Sequence, residues 1–346
     1  MAVYGKIGRL MDMIDLKEVP APPRLIPALV AGFDAITNHI LVILFPILTD
    51  VLIWLAPHLR IKKLVEDVIG EMIALSGIES TELSEMVGVG QDAWLQLAEQ
   101  YNLAIAFRSY PVGIPSLMAS SMPLDTPLGM PVMIEIQTLG AIFVISILFL
   151  GLGLIFGTLY YLIVVQIALS GNLVWEEVFR RFVRSSFHVI LVAISWVVFF
   201  IIVSIPVSCL LSLAGLVGFS LGPLGFLLYG GLMIWLIFPL LFSAHGIFVK
   251  NLAAWHSIRL SIQITNATLP TTALFFLSVF ILTQGLNLLW RIPPTSSWLT
   301  LVGITGHAFV VTGLLAASFI YFRDADRWVT SLRKQIFHTV ESDIKN

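Results

Sequence analysis

Apolar runs set the plan of this chain. From Ser185 to Val249 there are 65 residues without Asp, Glu, Lys or Arg. A helix needs about 20 apolar residues to cross ~30 Å of hydrocarbon. That stretch therefore predicts two spans, about Ser186–Leu213 and Leu221–Val249, with Gly215, Gly218, Gly222 and Pro223 turning the chain between them. Ile136–Trp175 is a second charge-free run, 40 residues long, and predicts a span over Gln137–Ile167. Its Gly140, Gly151, Gly153 and Gly157 form a small-residue edge suited to close helix packing. A final pair falls at Pro270–Trp290 and Trp298–Phe322. The first span is the least regular. Leu25, Leu29, Phe33 and Ile36 lie opposite Asp34, Asn38 and His39 and read as an interfacial helix, while Ile40–Leu55 is the hydrocarbon part, kinked at Pro46.

The polar positions fill in the rest. In His58–Glu135, Ile61, Leu64, Val65, Val68, Ile69 and Met72 follow helical spacing, and a second helix is predicted over Gln91–Phe107. Pro111, Pro115, Pro123, Pro127 and Pro131 exclude regular helix after it. The segment reads as a small helical cap on the outer membrane face. Residues 171–186 and 250–269 predict amphipathic connectors, and 323–346 a basic amphipathic tail. Residues 1–24 form a short tail with Val3, Ile7, Leu10, Met11 and Ile14 on one helical face. They lack the apolar core of a cleaved signal peptide, so the first span is expected to act as an uncleaved anchor. The fold class is an all-α integral membrane protein of six transmembrane helices, with an extracytoplasmic cap between the first and second.

Charge adds a direction. Lys and Arg number 14 in the two tails and the two connectors, against five in the intervening segments. Four of those five lie in the long 57–136 loop, where the positive-inside rule is weak. Both termini are therefore expected in the cytoplasm and the protein in the cell membrane. Trp54, Trp290 and Trp298 belt the outer side, and Trp175, Trp255 and Trp328 the inner. The charge balance argues for a bilayer with two unlike sides as partner and against nucleic acid. Cys209, the single cysteine, permits no intrachain disulfide.

After residue 136 the chain reads as span, connector, span, twice over. Gly171-Asn172-Leu173-Val174-Trp175 and Trp255-His256-Ser257-Ile258 head the two connectors. On these residues the arrangement resembles a broad group of uncharacterised bacterial multispan proteins related to the membrane domain of some glycerophosphodiester phosphodiesterases. The likeness covers about half the chain and excludes the catalytic domain, so it implies a membrane architecture and no settled activity. The first span, from Gly32-Phe33-Asp34 through Leu44-Phe45-Pro46 to Asp50 and Trp54, is similar to other uncharacterised bacterial membrane proteins.

The chemistry-bearing residues are few. An acid in a bilayer must face protein, water or a partner. Asp50 lies within two turns of the predicted outer interface, and hydration there is the simplest expectation. At 100° per residue His39 and Asp50 share a face within about 20°, which admits a relay or ligand-facing pair. His307 is mid-span beside Gly303, Gly306 and Gly313, and a hydrogen bond to a neighbouring helix is the common role of such a residue. Asn287 and Gln284 read as similar inter-helix glue. Glu176-Glu177-Val178-Phe179-Arg180-Arg181 matches the EExxxR string of intramembrane proteases resembling the CAAX type. No histidine has a Phe four residues before it, as that family's second motif requires. No catalytic residue, metal set or cofactor is implied. The first expectation is a structural or accessory component of a membrane complex, with a protein partner or a second copy of the chain. The alternative is a transporter or permease subunit for an apolar or amphipathic solute. An intramembrane protease is the remote third.

Overall fold

The computed structural model describes residues 22–76, 91, 94–217 and 222–345. The helical face proposed for the N-terminal tail and the glycine-bearing stretch after Ser76 lie outside them. The protein is an all-α multispan membrane protein. Among the described residues five helices are long and apolar enough to cross a membrane, and a pair bent by 94° makes a sixth when counted as one span.

The bent pair is the first span. α1 (Leu25–Asn38) ends at His39, a 3-10 turn follows over Ile40–Ile43, and α2 (Leu44–Leu55) leaves at 94° to α1. The expected kink at Pro46 is thus displaced to His39–Ile43. A proline ring excludes the carbonyl four residues earlier, so the helix gives way before Val42 and Pro46 sits tolerated in the first turn of α2. α1 is more than an interfacial helix, because its small-residue face packs on the last span. A Cβ on Gly32 would meet the Ala317 backbone, and the Phe33 ring lies on Gly313 and beside Phe309.

After α2 comes a strand, β1 (His58–Arg60), and then α3 (Lys62–Ser76). β1 pairs in parallel with β2 (Met133–Glu135), so the segment between them is closed on itself at its base. Arg60 lies 3.5 Å from Glu99 and 3.6 Å from Glu135, and Lys62 is 3.4 Å from Glu99. Burial holds the His58 imidazole below its usual pKa, since a charged ring there would lose its hydration. The helix predicted over Gln91–Phe107 ends sooner: its described helical residues are 91 and 94–100, with Trp94 and Leu97 exposed. Asn102 ends it, because its side chain accepts from the Ala104 and Leu59 amides at 3.0 and 3.1 Å and starts a separate 3-10 turn, Leu103–Phe107.

Residues 103–121, which include the four-residue helix α4 (Met118–Ser121), do not rest on top of the bundle. They thread into it. Val112, Ile114 and Leu117 are buried. α5 (Leu139–Ser170) receives this loop at two glycines: a Cβ on Gly153 would overlap the Phe107 carbonyl, and one on Gly157 would overlap Gly113. The small-residue edge of α5 therefore accommodates loop backbone, while Gly140 and Gly151 face open space.

α6 (Trp175–Leu216) joins the first connector and the third span in one 42-residue helix. The fourth span, Leu227–Lys250, tightens part-way along. α7 (Gly222–Ile237) passes into a 3-10 turn at Phe238–Leu240, then further turns in which the Leu241, Ser243 and His245 amides bond three residues back, then α8 (His245–Lys250). Pro239 supplies the change. Backbone freed inside a membrane must be satisfied by other groups. Here α9 (Ala254–Ala267) does it, with Ser261 donating to the Pro239 carbonyl at 2.7 Å and Ser257 to the Ser243 carbonyl at 2.6 Å. The two connectors thus differ, one continuous with its span and the other a separate helix tucked under these turns. α10 (Leu269–Trp290) and α11 (Thr300–Lys345) complete the bundle. α11 is the central element: 67% of its apolar window is buried, against 11% for α5.

Candidate functional site

Asp50 is where the threaded loop is fastened. Its carboxylate is fully buried, not hydrated at an interface. Three donors from the loop reach it: the Ser116 hydroxyl at 2.5 Å, the Met118 amide at 2.9 Å and the Leu117 amide at 3.1 Å. The Ser116 oxygen in turn accepts from the Ala119 amide at 2.9 Å. Pro115 and Ser116 bring the chain round so that these amides converge, and an anion is the one side chain that accepts from all three at once. Nearby, the Arg291 guanidinium donates to the Ser120 hydroxyl and the Trp54 indole donates to the Thr295 carbonyl at 3.0 Å, tying the loop and α2 to the α10–α11 turn.

His39 belongs elsewhere. Its Nε2 donates to the Gly171 carbonyl at 2.9 Å, at the C-terminal end of α5. The shared face with Asp50 assumed an unbroken 100° repeat. A 3-10 turn advances about 120° per residue, so four residues shift the register by about 80°. No hydrogen bond joins the two residues. His307 bonds through Nδ1 to the Asn287 side chain on α10 at 2.9 Å, and its Nε2 is buried without a partner. Glu177 accepts from Gln166 at 3.2 Å and pairs with Arg181 at 3.9 Å, which stitches α5 to α6. Among the described residues no three His, Cys, Asp or Glu converge as a metal set would.

Beyond the fastening the loop forms one wall of a cavity of about 520 Å³. Arg108, Ser109, Tyr110 and Pro115 supply that wall. Phe275, Phe276, Val279 and Phe280 of α10 supply a second, and Val311, Leu314 and Leu315 of α11 a third. Tyr161, Trp196, Leu241 and His245 line the rest, together with Thr283 and Gln284 of α10, so Gln284 faces the cavity and bonds no neighbouring helix among the described residues. The volume lies in the range of small-molecule sites, with the usual mixture of apolar lining and a few polar groups. No protein-family model, curated protein or solved structure matches the chain. The cavity therefore has to be read from its own chemistry.

The Tyr161, Thr283 and Gln284 side chains on the lining form no hydrogen bond among the described residues, and two further groups bear on its chemistry. The Ser318 hydroxyl donates to the Leu315 carbonyl at 2.7 Å, so in the bond between Ser318 and His245 Nε2, 2.9 Å long, a neutral imidazole is the donor. That leaves His245 Nδ1 a buried acceptor with nothing to accept from. Arg108 is the second. Its guanidinium forms no ion pair or side-chain hydrogen bond among the described residues. Its side chain is exposed, so its charge is open to solvent, a lipid headgroup or a ligand. From sequence His245 is marked only as one of three histidines in or near spans, with His188 and His307, too few at helical spacing for a metal site, and Arg108 is not marked at all. A mid-span Pro239 followed by Ser243 and His245, and the single Arg in a proline-rich loop, are the signals that could have found them.

Proposed function

We propose that the protein binds an apolar or amphipathic solute within the bilayer and acts as a transporter or permease component for it. One observation carries this reading. The cavity lies where a loop threaded into the bundle meets a span whose helix gives way to 3-10 turns at Pro239, with His245 opening the helix after them. Non-helical backbone at membrane depth is tolerated only where it is buried in protein or lines a cavity. Transporters place their substrate sites at such discontinuous helices. Native mass spectrometry of the protein extracted gently from its own membrane tests it. A stoichiometric small molecule should travel with the wild type and be missing from Val279→Trp, whose indole would occupy the cavity. Its absence from both proteins would overturn the reading.

A second reading, a structural or accessory component of a membrane complex, has one observation of its own. α7 packs chiefly on the 3-10 turn that follows it, leaving Leu227, Leu228, Ile234 and Trp235 exposed for lipid, a partner or a second copy of the chain. A wild type that carries a protein but no small molecule would favour it.

We also propose that the protein resides in the cell membrane with both termini cytoplasmic, on the strength of the Lys and Arg distribution. In a Cys209→Ser background, an impermeant maleimide added to intact cells should label Met130→Cys and not Asn172→Cys. The reverse pattern would invert the topology.

A further inference from the structure

Arg108 is an exposed side chain on a loop packed against the middle of α5. Its neighbours Phe107 and Ser109 dock on Gly153, fourteen residues into α5. At 1.5 Å per residue that is about 21 Å from the start of the helix. The intervening Leu139, Phe143, Val144, Ile147 and Leu148 are all exposed, an apolar surface that lipid covers rather than water. The mouth of the cavity is marked by the lining residues that remain exposed, Arg108, Tyr110, Phe280 and Gln284. Phe280 is midway along α10, a 22-residue span, so the mouth opens sideways to the bilayer.

We infer that Arg108 holds the anionic group of an amphipathic ligand whose apolar part fills the cavity, the ligand entering laterally from the bilayer. This rests on the proposed binding function and adds the ligand's chemical class. The walls offer Phe275, Phe276, Val279, Leu314 and Leu315 to a hydrocarbon chain. The mouth offers one guanidinium, and a planar fork matches a carboxylate or phosphate. The carboxylate of the chain's own Asp50 feels the field of Arg108 but is committed to Ser116, Leu117 and Met118. The positive charge is therefore left for a ligand to neutralise. An acyl-chain carboxylate and the phosphate of an anionic lipid share this chemistry.

The test uses the full chain in nanodiscs of a zwitterionic lipid. Trp196 lines the cavity, and bromine on an acyl chain quenches an indole it touches, so the Trp196-dependent part of the quenching, obtained by difference from Trp196→Phe, reports occupancy. The probes are 9,10-dibromostearate, its methyl ester, and a phosphatidylglycerol brominated in the same way. The acid should reach half-quenching at a concentration about tenfold below the ester, the effect of one charge-assisted pair. Arg108→Gln should erase that preference while leaving quenching by the ester unchanged, which also shows that the fold is intact. Arg108→Lys should keep part of it. Arg108-dependent quenching by the brominated phosphatidylglycerol would name a lipid headgroup as the anion. The same dependence for dibromostearate alone would name a free single-chain amphiphile. Equal quenching by acid and ester in both wild type and Arg108→Gln would overturn the anionic class and leave the cavity reading standing. No Trp196-dependent quenching by any probe would overturn both.

Discussion

At the scale of single residues, burial turns Asp50 from an oddity into a fastening. The three donors it accepts would otherwise be unpaired in an apolar interior, at about 1–3 kcal/mol each. Asp50→Ala should therefore lower stability by on the order of 3 kcal/mol and release the loop. Thermal melting in detergent and limited proteolysis around residues 108–121 would both register it, and an unchanged melt with an uncut loop would show that the carboxylate holds nothing. Asp50→Asn should cost less, since its carbonyl still accepts while its amide faces a loop N–H. The sequence marked Asp50 as exceptional because acids in apolar runs are rare. It could not supply the partners, which lie 66 to 68 positions away in a loop without periodicity. His39 shows the opposite failure. Its face was computed through a helix that breaks at that very residue.

Elements were legible where periodicity or sheer apolar length speaks for itself. α5, α10 and the apolar part of α11 fall within a few residues of the runs that predicted them. What the runs concealed are interruptions. The Leu221–Val249 stretch is apolar throughout, so composition alone shows one regular span, and only Pro239 hints that its hydrogen bonds tighten from four-residue to three-residue spacing there. The glycines of α5 are a related case. Their spacing suggested a helix–helix seam, yet Gly153 and Gly157 admit the loop backbone. Gly157→Ala should force Gly113 outward and cost about 1–3 kcal/mol, as overpacking does. Gly151→Ala, which meets open space, should be close to neutral. The difference in melting temperature between these two variants checks the docking, and equal melts would contradict it.

On the scale of the whole molecule, the parts with the least regular sequence assemble the most specific site. Five long apolar helices and a bent pair give the membrane class. The loop, the 3-10 turns at Pro239 and α9 beneath them convert a plain bundle into one with a walled cavity that opens to lipid. Residues 58–135 read as a cap because polar and proline-rich chain ordinarily stays outside the bilayer. The structure brings part of that chain inside because Asp50 and two glycines of α5 receive it. The most direct test of this account is a cryo-EM map of the protein in nanodiscs, purified without stripping its native lipids. It should show residues 103–121 threaded between α2 and α5, with elongated non-protein density running from Arg108 towards His245. A loop lying on the membrane surface, or a cavity closed by its own side chains, would contradict the account.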